Sequence, residues 1–266
     1  MTASTDLDRL VTVLEGHDRL AVAVSGGVDS MTLAHVAHGV SQLAVTMVHA
    51  CSPAVPVAAR ARVEAHAGRH GWNLVLLDAG EMADPQYRAN PVDRCYYCKS
   101  HLYDRIRAHT TDVIASGTNR DDLDDYRPGL RAARERDVVH PYVEAGLDKA
   151  AVYGIARALG LHDLERLPAQ PCLSSRVETG IAIDPADLAF IDAVETRLAE
   201  ALGESAVVRC RITHGGVVVE LGEGATPRAI DTARAIASAA CATSDRAFVE
   251  VRPYRRGAAF LRVHAA

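Results

Sequence analysis

The stretch LAVAVSGGVDS, residues 20–30, places an apolar run directly before a glycine turn and the start of a helical pattern. The run predicts a buried strand, and the paired glycines let successive backbone amides point to one spot. A helix that begins at this turn adds the positive end of its dipole. An ordinary turn would need only Asp29 or Ser30 as an N-cap, which leaves the rest of the string unexplained. The stretch therefore predicts a strand–loop–helix unit that binds an anion of phosphate size.

Apolar runs and amphipathic stretches alternate over the first 165 residues on both sides of this loop. Such alternation is typical of βαβ units, so we predict an α/β fold with a doubly wound parallel sheet. The predicted strands are 20–24, 43–48, 74–77 and 113–115, and the predicted helices are 30–40, 57–70, 98–108 and 149–159.

The pattern changes from about residue 185 onward. Helices are predicted at 185–202 and 227–240, and strands at 207–212, 217–221, 248–251 and 260–263. We therefore expect a domain of residues 1–184 and a smaller α+β domain of residues 185–266. The loop-rich stretch 167–184 is long for an ordinary connection, which favours a functional loop.

Composition limits the class of protein. Of the 266 residues 48% are hydrophobic, and 34 acidic against 29 basic residues give a net charge of −5. This balance argues against a dedicated nucleic-acid binder. No apolar run approaches the ~20 residues of a membrane span, and the polar N-terminus lacks an export signal. We expect a cytoplasmic enzyme without a membrane partner.

Only two of the basic residues are lysines, Lys99 and Lys149. In such an arginine-rich chain, a lysine can mark a position where a compact ammonium is needed and a planar guanidinium does not serve. Chance is the alternative explanation, and with two examples both stay open.

Three of the six cysteines suggest chemistry. Cys95 and Cys98 form a C-x-x-C motif at the start of a predicted helix, and Cys172 lies in the long loop. A C-x-x-C motif occurs in redox pairs, zinc sites and iron–sulfur sites. Three cysteines fit a 4Fe–4S cluster with one open iron, and zinc held with a histidine is the alternative. Cys210 and Cys241 fall in apolar patterns and are expected to be small buried residues.

The string SGGVDS resembles the PP-loop of the ATP pyrophosphatase superfamily, which has a HUP-like fold. Three more strings, NPVDRCYYCK (90–99), GTNRDDLDDYRPG (117–129) and PCLSSR (171–176), resemble the LarE family of ATP-dependent sulfur transferases. Lys149 and the pair Tyr254-Arg255 also match family positions. The resemblance covers most of the chain.

The resemblance implies a reaction in nickel-pincer nucleotide cofactor synthesis. ATP with Mg²⁺ adenylates a carboxylate of pyridinium-3,5-biscarboxylic acid mononucleotide, and sulfur then replaces AMP to give a thiocarboxylate. One family branch gives up the sulfur of a single cysteine, which corresponds to Cys172. Another branch delivers sulfide through a 4Fe–4S cluster held by three cysteines. Because Cys95 and Cys98 accompany Cys172, we expect the cluster branch, with an unidentified sulfide donor.

The resemblance and the residue chemistry together assign site residues. Those expected to bind the ATP phosphates and the nucleotide are Ser25, Gly26, Gly27, Asp29, Ser30, Gly117 and Asn119. Arg176 and Arg255 are expected to bind the substrate phosphate, with ordinary ion pairs as the alternative. Asp122 and Asp125 are candidates for Mg²⁺, with a solvated acidic loop as the alternative.

Several positions leave other functions open. The segment 177–179, Gly216 and Arg256 depart from the family pattern, which leaves the exact substrate undecided. A PP-loop tRNA thiolation enzyme is one alternative, and an amide-forming ligase is another. A non-enzymatic cluster-bearing sensor or sulfide carrier is a third. The oligomeric state is also open, a homo-oligomer included.

Overall fold

The computed structural model describes residues 3–124, 126–167, 171–203, 205–255, 257 and 259. The chain folds into two compact units. The first consists of Met1–Ala83 and Asp93–Gln170, and the second of Asp84–Val92 and Pro171–Ala266. The expected division into domains of residues 1–184 and 185–266 stays a prediction.

The strands are β1 (Arg19–Ala23), β2 (Ala44–Cys51), β3 (Leu74–Asp78), β4 (Val113–Ser116), β5 (Val208–Thr213), β6 (Gly216–Leu221) and β7 (Phe248–Pro253). The helices are α1 (Ala3–Leu14), α2 (Val28–Gly39), α3 (Val57–His70), α4 (Pro85–Arg88), α5 (Arg94–His109), α6 (Pro128–Arg134), α7 (Pro141–Glu144), α8 (Lys149–Ala158), α9 (His162–Glu165), α10 (Pro185–Leu202) and α11 (Pro227–Thr243). Short 3₁₀ helices cover Glu81–Ala83, Arg120–Leu123 and Leu173–Arg176.

The first unit is built on a parallel sheet with the strand order β3-β2-β1-β4. Leu20 and Val22 of β1 pack into a core shared with α1, α2 and α8, whereas Ala21 and Ala23 face a second core formed with α5. Helices therefore cover both faces of the sheet, as parallel sheets require. The predicted α/β fold with a parallel sheet is confirmed.

Strand order brings two loops together at one edge of this sheet. β1 lies between β2 and β4, and Ala23 pairs with Ser116 in parallel register. The segments that follow β1 and β4 therefore leave the sheet side by side, at the carboxyl ends where such sheets bind ligands.

The second unit contains a three-stranded sheet in the order β5-β6-β7, antiparallel in the β5–β6 hairpin and parallel between β6 and β7. α10 and α11 begin with proline after the capping residues Asp184 and Thr226. Cys210 and Cys241 are buried, as expected. The strand predicted at 260–263 lies outside the described residues.

The structure adds elements that were not predicted. α1 is amphipathic: Leu10 and Leu14 are fully buried and Leu7 and Val11 pack beside them. α5 begins at Arg94, four residues earlier than predicted.

Among the described residues, every helix is too short or too polar to cross a bilayer.

Candidate functional site

The loop between β1 and α2 is closed around the side chain of Ser30. Its hydroxyl accepts from the backbone N of Ser25 at 3.0 Å and donates to the carbonyl of Gly27 at 3.2 Å. Gly27 is the N-cap of α2. The first amides of a helix have no carbonyl partner within the helix, and together with the dipole they form an anion site. The expected phosphate loop therefore has a suitable backbone arrangement.

Gly26 shows why this loop needs a glycine. Its φ is +84°, and a Cβ there would lie 2.5 Å from the carbonyl oxygen of Ala59 on α3. Arg62, one turn further along α3, donates to the Gly26 carbonyl at 2.7 Å. α3 thus supports the loop from behind, and any larger residue at position 26 would collide with backbone.

Gly117 performs a similar role at the end of β4. A Cβ at this position would lie 2.7 Å from the backbone N of Ser30 and 2.9 Å from the carbonyl carbon of Asp29. The absence of a side chain at Gly117 allows the segment after β4 to pack directly against the start of α2. Two of the expected site segments are therefore in contact.

Asp29 is the centre of a polar cluster in the first unit. Lys149, the first residue of α8, places Nζ 2.7 and 2.6 Å from the two carboxylate oxygens of Asp29. Asn119 donates its amide to the same carboxylate at 3.2 Å. The Tyr142 hydroxyl donates to the Asp29 carbonyl at 2.9 Å. The sequence singled out Lys149 because lysine is rare in this chain, but did not assign it to the site. No motif or composition signal in the sequence pointed to Tyr142.

The acidic segment after Asn119 is organised by a capping box. Asn119 accepts from the backbone N of Asp121, and Asp122 accepts from the backbone N of Asn119, both at 3.1 Å. Asp122 also forms an ion pair of 2.7 Å with Arg127. Burial raises the pKa of Asp122 above its usual value. A Mg²⁺ role for Asp122 stays a prediction, and Asp125 lies outside the described residues.

Cys95 and Cys98 lie one turn apart in the first two turns of α5, so both are on one side of the helix. Both are half-buried. α6 packs close to this turn, because a Cβ at Gly129 would lie 3.6 Å from the Cys95 carbonyl oxygen and 3.0 Å from Cγ of Lys99. The predicted position of the C-x-x-C motif at a helix start is confirmed.

Cys172 is a half-buried residue of the second unit and precedes the 3₁₀ helix Leu173–Arg176. Its carbonyl accepts from the backbone N of Ser175 at 2.9 Å. All six cysteines lie among the described residues, and none forms a disulfide. The three candidate cysteines are therefore divided, with two in the first unit and one in the second.

Arg176 is 2% exposed and its guanidinium is used within the second unit. Nε and Nη2 donate to Glu195 at 3.0 and 2.9 Å, and Nη1 donates to the carbonyls of Pro171 and Cys172 at 2.5 and 3.2 Å. These bonds fix the backbone on both sides of the Cys172 α-carbon. A substrate role for Arg176 and for the exposed Arg255 stays a prediction.

Comparisons with known proteins identify relatives, although no family model matches the chain. An uncharacterized protein of Synechocystis is 41% identical over 167 residues, which are 61% of this chain and 62% of that protein. The chain thus matches less than two thirds of that relative's length. An uncharacterized protein of Methanocaldococcus jannaschii is 26% identical over 181 residues, 66% of this chain and 68% of that protein.

A relative with a described activity covers more of the chain. The pyridinium-3,5-bisthiocarboxylic acid mononucleotide synthase of Lactiplantibacillus plantarum is 29% identical over 227 residues, 84% of this chain and 81% of that enzyme. This similarity supports the LarE family for the chain, the family that its loop and cysteine motifs indicate.

Proposed function

We propose that the protein is an ATP-dependent sulfur transferase of nickel-pincer nucleotide cofactor synthesis. The substrate is pyridinium-3,5-biscarboxylic acid mononucleotide, and the product carries a thiocarboxylate. The observation that carries the proposal is the similarity to the synthase over 84% of the chain. The loop that Gly26 and Gly117 shape at the start of α2 supports it independently.

Adenylation explains why a phosphate loop belongs in such an enzyme. A carboxylate oxygen is a poor leaving group, so sulfur cannot displace it directly. Attack of that oxygen on the α-phosphorus of ATP releases pyrophosphate and gives an acyl adenylate. Sulfide then attacks the acyl carbon, and AMP leaves with the oxygen. The amides at the start of α2 are suited to hold the departing pyrophosphate.

Asp29 and Lys149 would control the charge around these phosphates. The ammonium of Lys149 lies 2.6–2.7 Å from the carboxylate oxygens of Asp29 and neutralises their charge. When Mg²⁺–ATP binds, we expect Asp29 to face the cation and Lys149 to turn to a phosphate oxygen. An ammonium suits this exchange because it is a compact charge on a flexible stem.

The sulfur step would use Cys95, Cys98 and Cys172. The donor set suits a 4Fe–4S cluster, since three thiolates leave one iron open, and Cys95 and Cys98 share one helix face. When bound, such a cluster supplies an iron that can carry sulfide. Arg176 holds the backbone of Cys172, so it is a positioning residue in this scheme. Sacrifice of the Cys172 sulfur is the alternative route.

The adenylation proposal is tested with ATP, Mg²⁺ and the mononucleotide under anaerobic conditions. We expect AMP and pyrophosphate only when the mononucleotide is present. The variant Asp29→Asn should lower the rate by on the order of 10²-fold, as for loss of one preorganised electrostatic contact. The matched control is Asp231→Asn, an exposed carboxylate of α11. AMP formation that depends on tRNA would favour a thiolation enzyme, and nucleotide binding without turnover would favour a sensor.

The sulfur route is tested by iron and acid-labile sulfide analysis of anaerobically purified protein. Single changes of Cys95, Cys98 and Cys172 to Ala should each remove the cluster, whereas Cys241→Ala should keep it. Zinc in place of iron would contradict the cluster. Loss of the Cys172 sulfur after one turnover, seen by intact mass, would establish the sacrificial route instead.

A further inference from the structure

Three histidines converge on the first unit at a place that the proposed reaction does not use. His35 lies on α2, and His66 and His70 lie one turn apart on α3. One ring nitrogen from each lies within 4.8 Å of the other two. His35 Nε2 is 2.8 Å from His66 Nδ1. Two helices thus bring three imidazoles close enough together for one ion.

The central ring is oriented by a carboxylate. His66 is 1% exposed, and its Nε2 lies 2.8 Å from Oδ2 of Asp163 on α9. In an uncharged His66, Asp163 keeps the proton on Nε2, so that Nδ1 presents its lone pair to the other two histidines. A carboxylate behind a ligating imidazole is a common feature of zinc sites.

The remaining rings are also suited to ligation. His35 packs edge-on against Trp72, with 4.8 Å between ring centroids. His35 is also half-buried and in edge contact with His66, which limits the orientations of its ring. His70 is exposed, which gives its side chain room to adjust and opens the cluster to solvent.

We propose that His35, His66 and His70 bind a divalent late transition metal of the zinc class, with the fourth position open to water. Zinc–nitrogen bonds of about 2.0–2.1 Å place the ligand nitrogens of a tetrahedral site about 3.3 Å apart. The observed nitrogens lie from 2.8 Å to no more than 4.8 Å apart, so small side-chain rotations suffice. Three imidazoles and one open position match this metal class.

The metal would join the two helices that shape the phosphate loop. α2 begins at that loop, and α3 supports it through Ala59 and Arg62. Cross-linking α2 to α3 through His35 and the α3 histidines would stabilise the folded protein by mass action. Zinc should therefore raise the thermal unfolding temperature of the full chain.

The test uses full-length protein stripped with a chelator and titrated with Zn²⁺ or Co²⁺ alone, without ATP or the mononucleotide. Cysteines also bind these ions, so the parent for the titration carries Cys95→Ala, Cys98→Ala and Cys172→Ala. We expect one equivalent to bind, with a cobalt spectrum of nitrogen ligands that lacks thiolate charge-transfer bands. The thermal unfolding temperature should rise with the same stoichiometry.

Variants in this parent separate the site from other histidines. His70→Gln changes an exposed side chain and should weaken binding at least about tenfold, and Asp163→Asn should weaken it about tenfold. The matched control is His109→Gln, an exposed histidine at the end of α5 that should bind as the parent does. A parent that binds no Zn²⁺, or a His70→Gln variant that binds it unchanged, would overturn the proposal. Neither result depends on sulfur transfer.

Discussion

Lys149 Nζ contacts both carboxylate oxygens of Asp29, at 2.6 and 2.7 Å, although the two residues are 120 positions apart. Asp29 lies in the first turn of α2, directly after the glycine loop, and Lys149 is the first residue of α8. The pair is half-exposed, so solvent limits its contribution to stability. Because the proposed function places Asp29 at the phosphate site, we expect the contact to serve ATP binding rather than stability.

Lys149→Met should therefore affect activity much more than folding. We expect the rate of mononucleotide-dependent AMP formation to fall by on the order of 10²-fold. The free energy of unfolding should change by about 1 kcal/mol or less. Lys149→Arg should restore little, because a guanidinium is planar and cannot replace a compact charge. The control on the same helix is Arg157→Gln, which removes an exposed ion pair. Equal activity in Lys149→Met and Arg157→Gln would contradict this role.

Gly117→Ala should damage the loop because its Cβ meets backbone atoms of Asp29 and Ser30. Overpacking of this kind costs roughly 1–3 kcal/mol, and the displaced α2 start should weaken ATP binding. Gly68→Ala on α3 is the matched control, since nothing lies within 4 Å of its Cβ. At position 68 the better helix propensity of alanine should raise the free energy of unfolding by about 0.5–1 kcal/mol. Urea unfolding and ATP titration measure both effects.

Glu195→Ala should destabilise the second unit strongly. It removes the carboxylate that pairs with the buried Arg176, and an uncompensated buried charge costs about 3–5 kcal/mol. Glu165→Ala removes an exposed pair with Arg157 and should cost less than about 1 kcal/mol. Chemical unfolding of both variants gives the comparison. A small loss of unfolding free energy in Glu195→Ala would mean that water reaches the guanidinium of Arg176.

His49 should make the protein sensitive to acid. Its ring is 1% exposed, and Nδ1 lies 2.8 Å from the Val24 carbonyl. Burial lowers the pKa of His49 below its usual 6.5. The unfolded chain therefore takes up a proton at pH values where the native state does not. The contribution of His49 to the free energy of unfolding is complete above pH 6.5 and is lost as the pH falls toward the native pKa.

The free energy of unfolding, measured in the presence of a chelator at pH 7.5 and at about pH 5.5, checks this expectation. Wild-type stability should fall between these values, and His49→Gln should fall less because glutamine takes up no proton. His109→Gln, with an exposed ring, should follow the wild type. An identical fall in His49→Gln would assign the acid sensitivity to other groups.

Local signals determined several elements without help from the rest of the chain. Helix α3 has the predicted bounds because Gly71 ends it in a left-handed conformation at φ +66°. Helix α10 begins at Pro185 after the Asp184 cap, also as predicted. The glycine loop after β1 and the family-like strings are likewise properties of short segments. Such signals depend on backbone preference and capping, which act over a few residues.

Tertiary structure alone decided which distant side chains meet. Three contacts depend on how the elements pack: Lys149 with Asp29, Arg176 with Glu195, and His35 with His66. Charge attraction and ring packing act through space, so sequence spacing carries no record of them. The sequence determined the elements that carry clear local signals, such as α3 and the start of α10, whereas packing decided which residues surround the glycine loop.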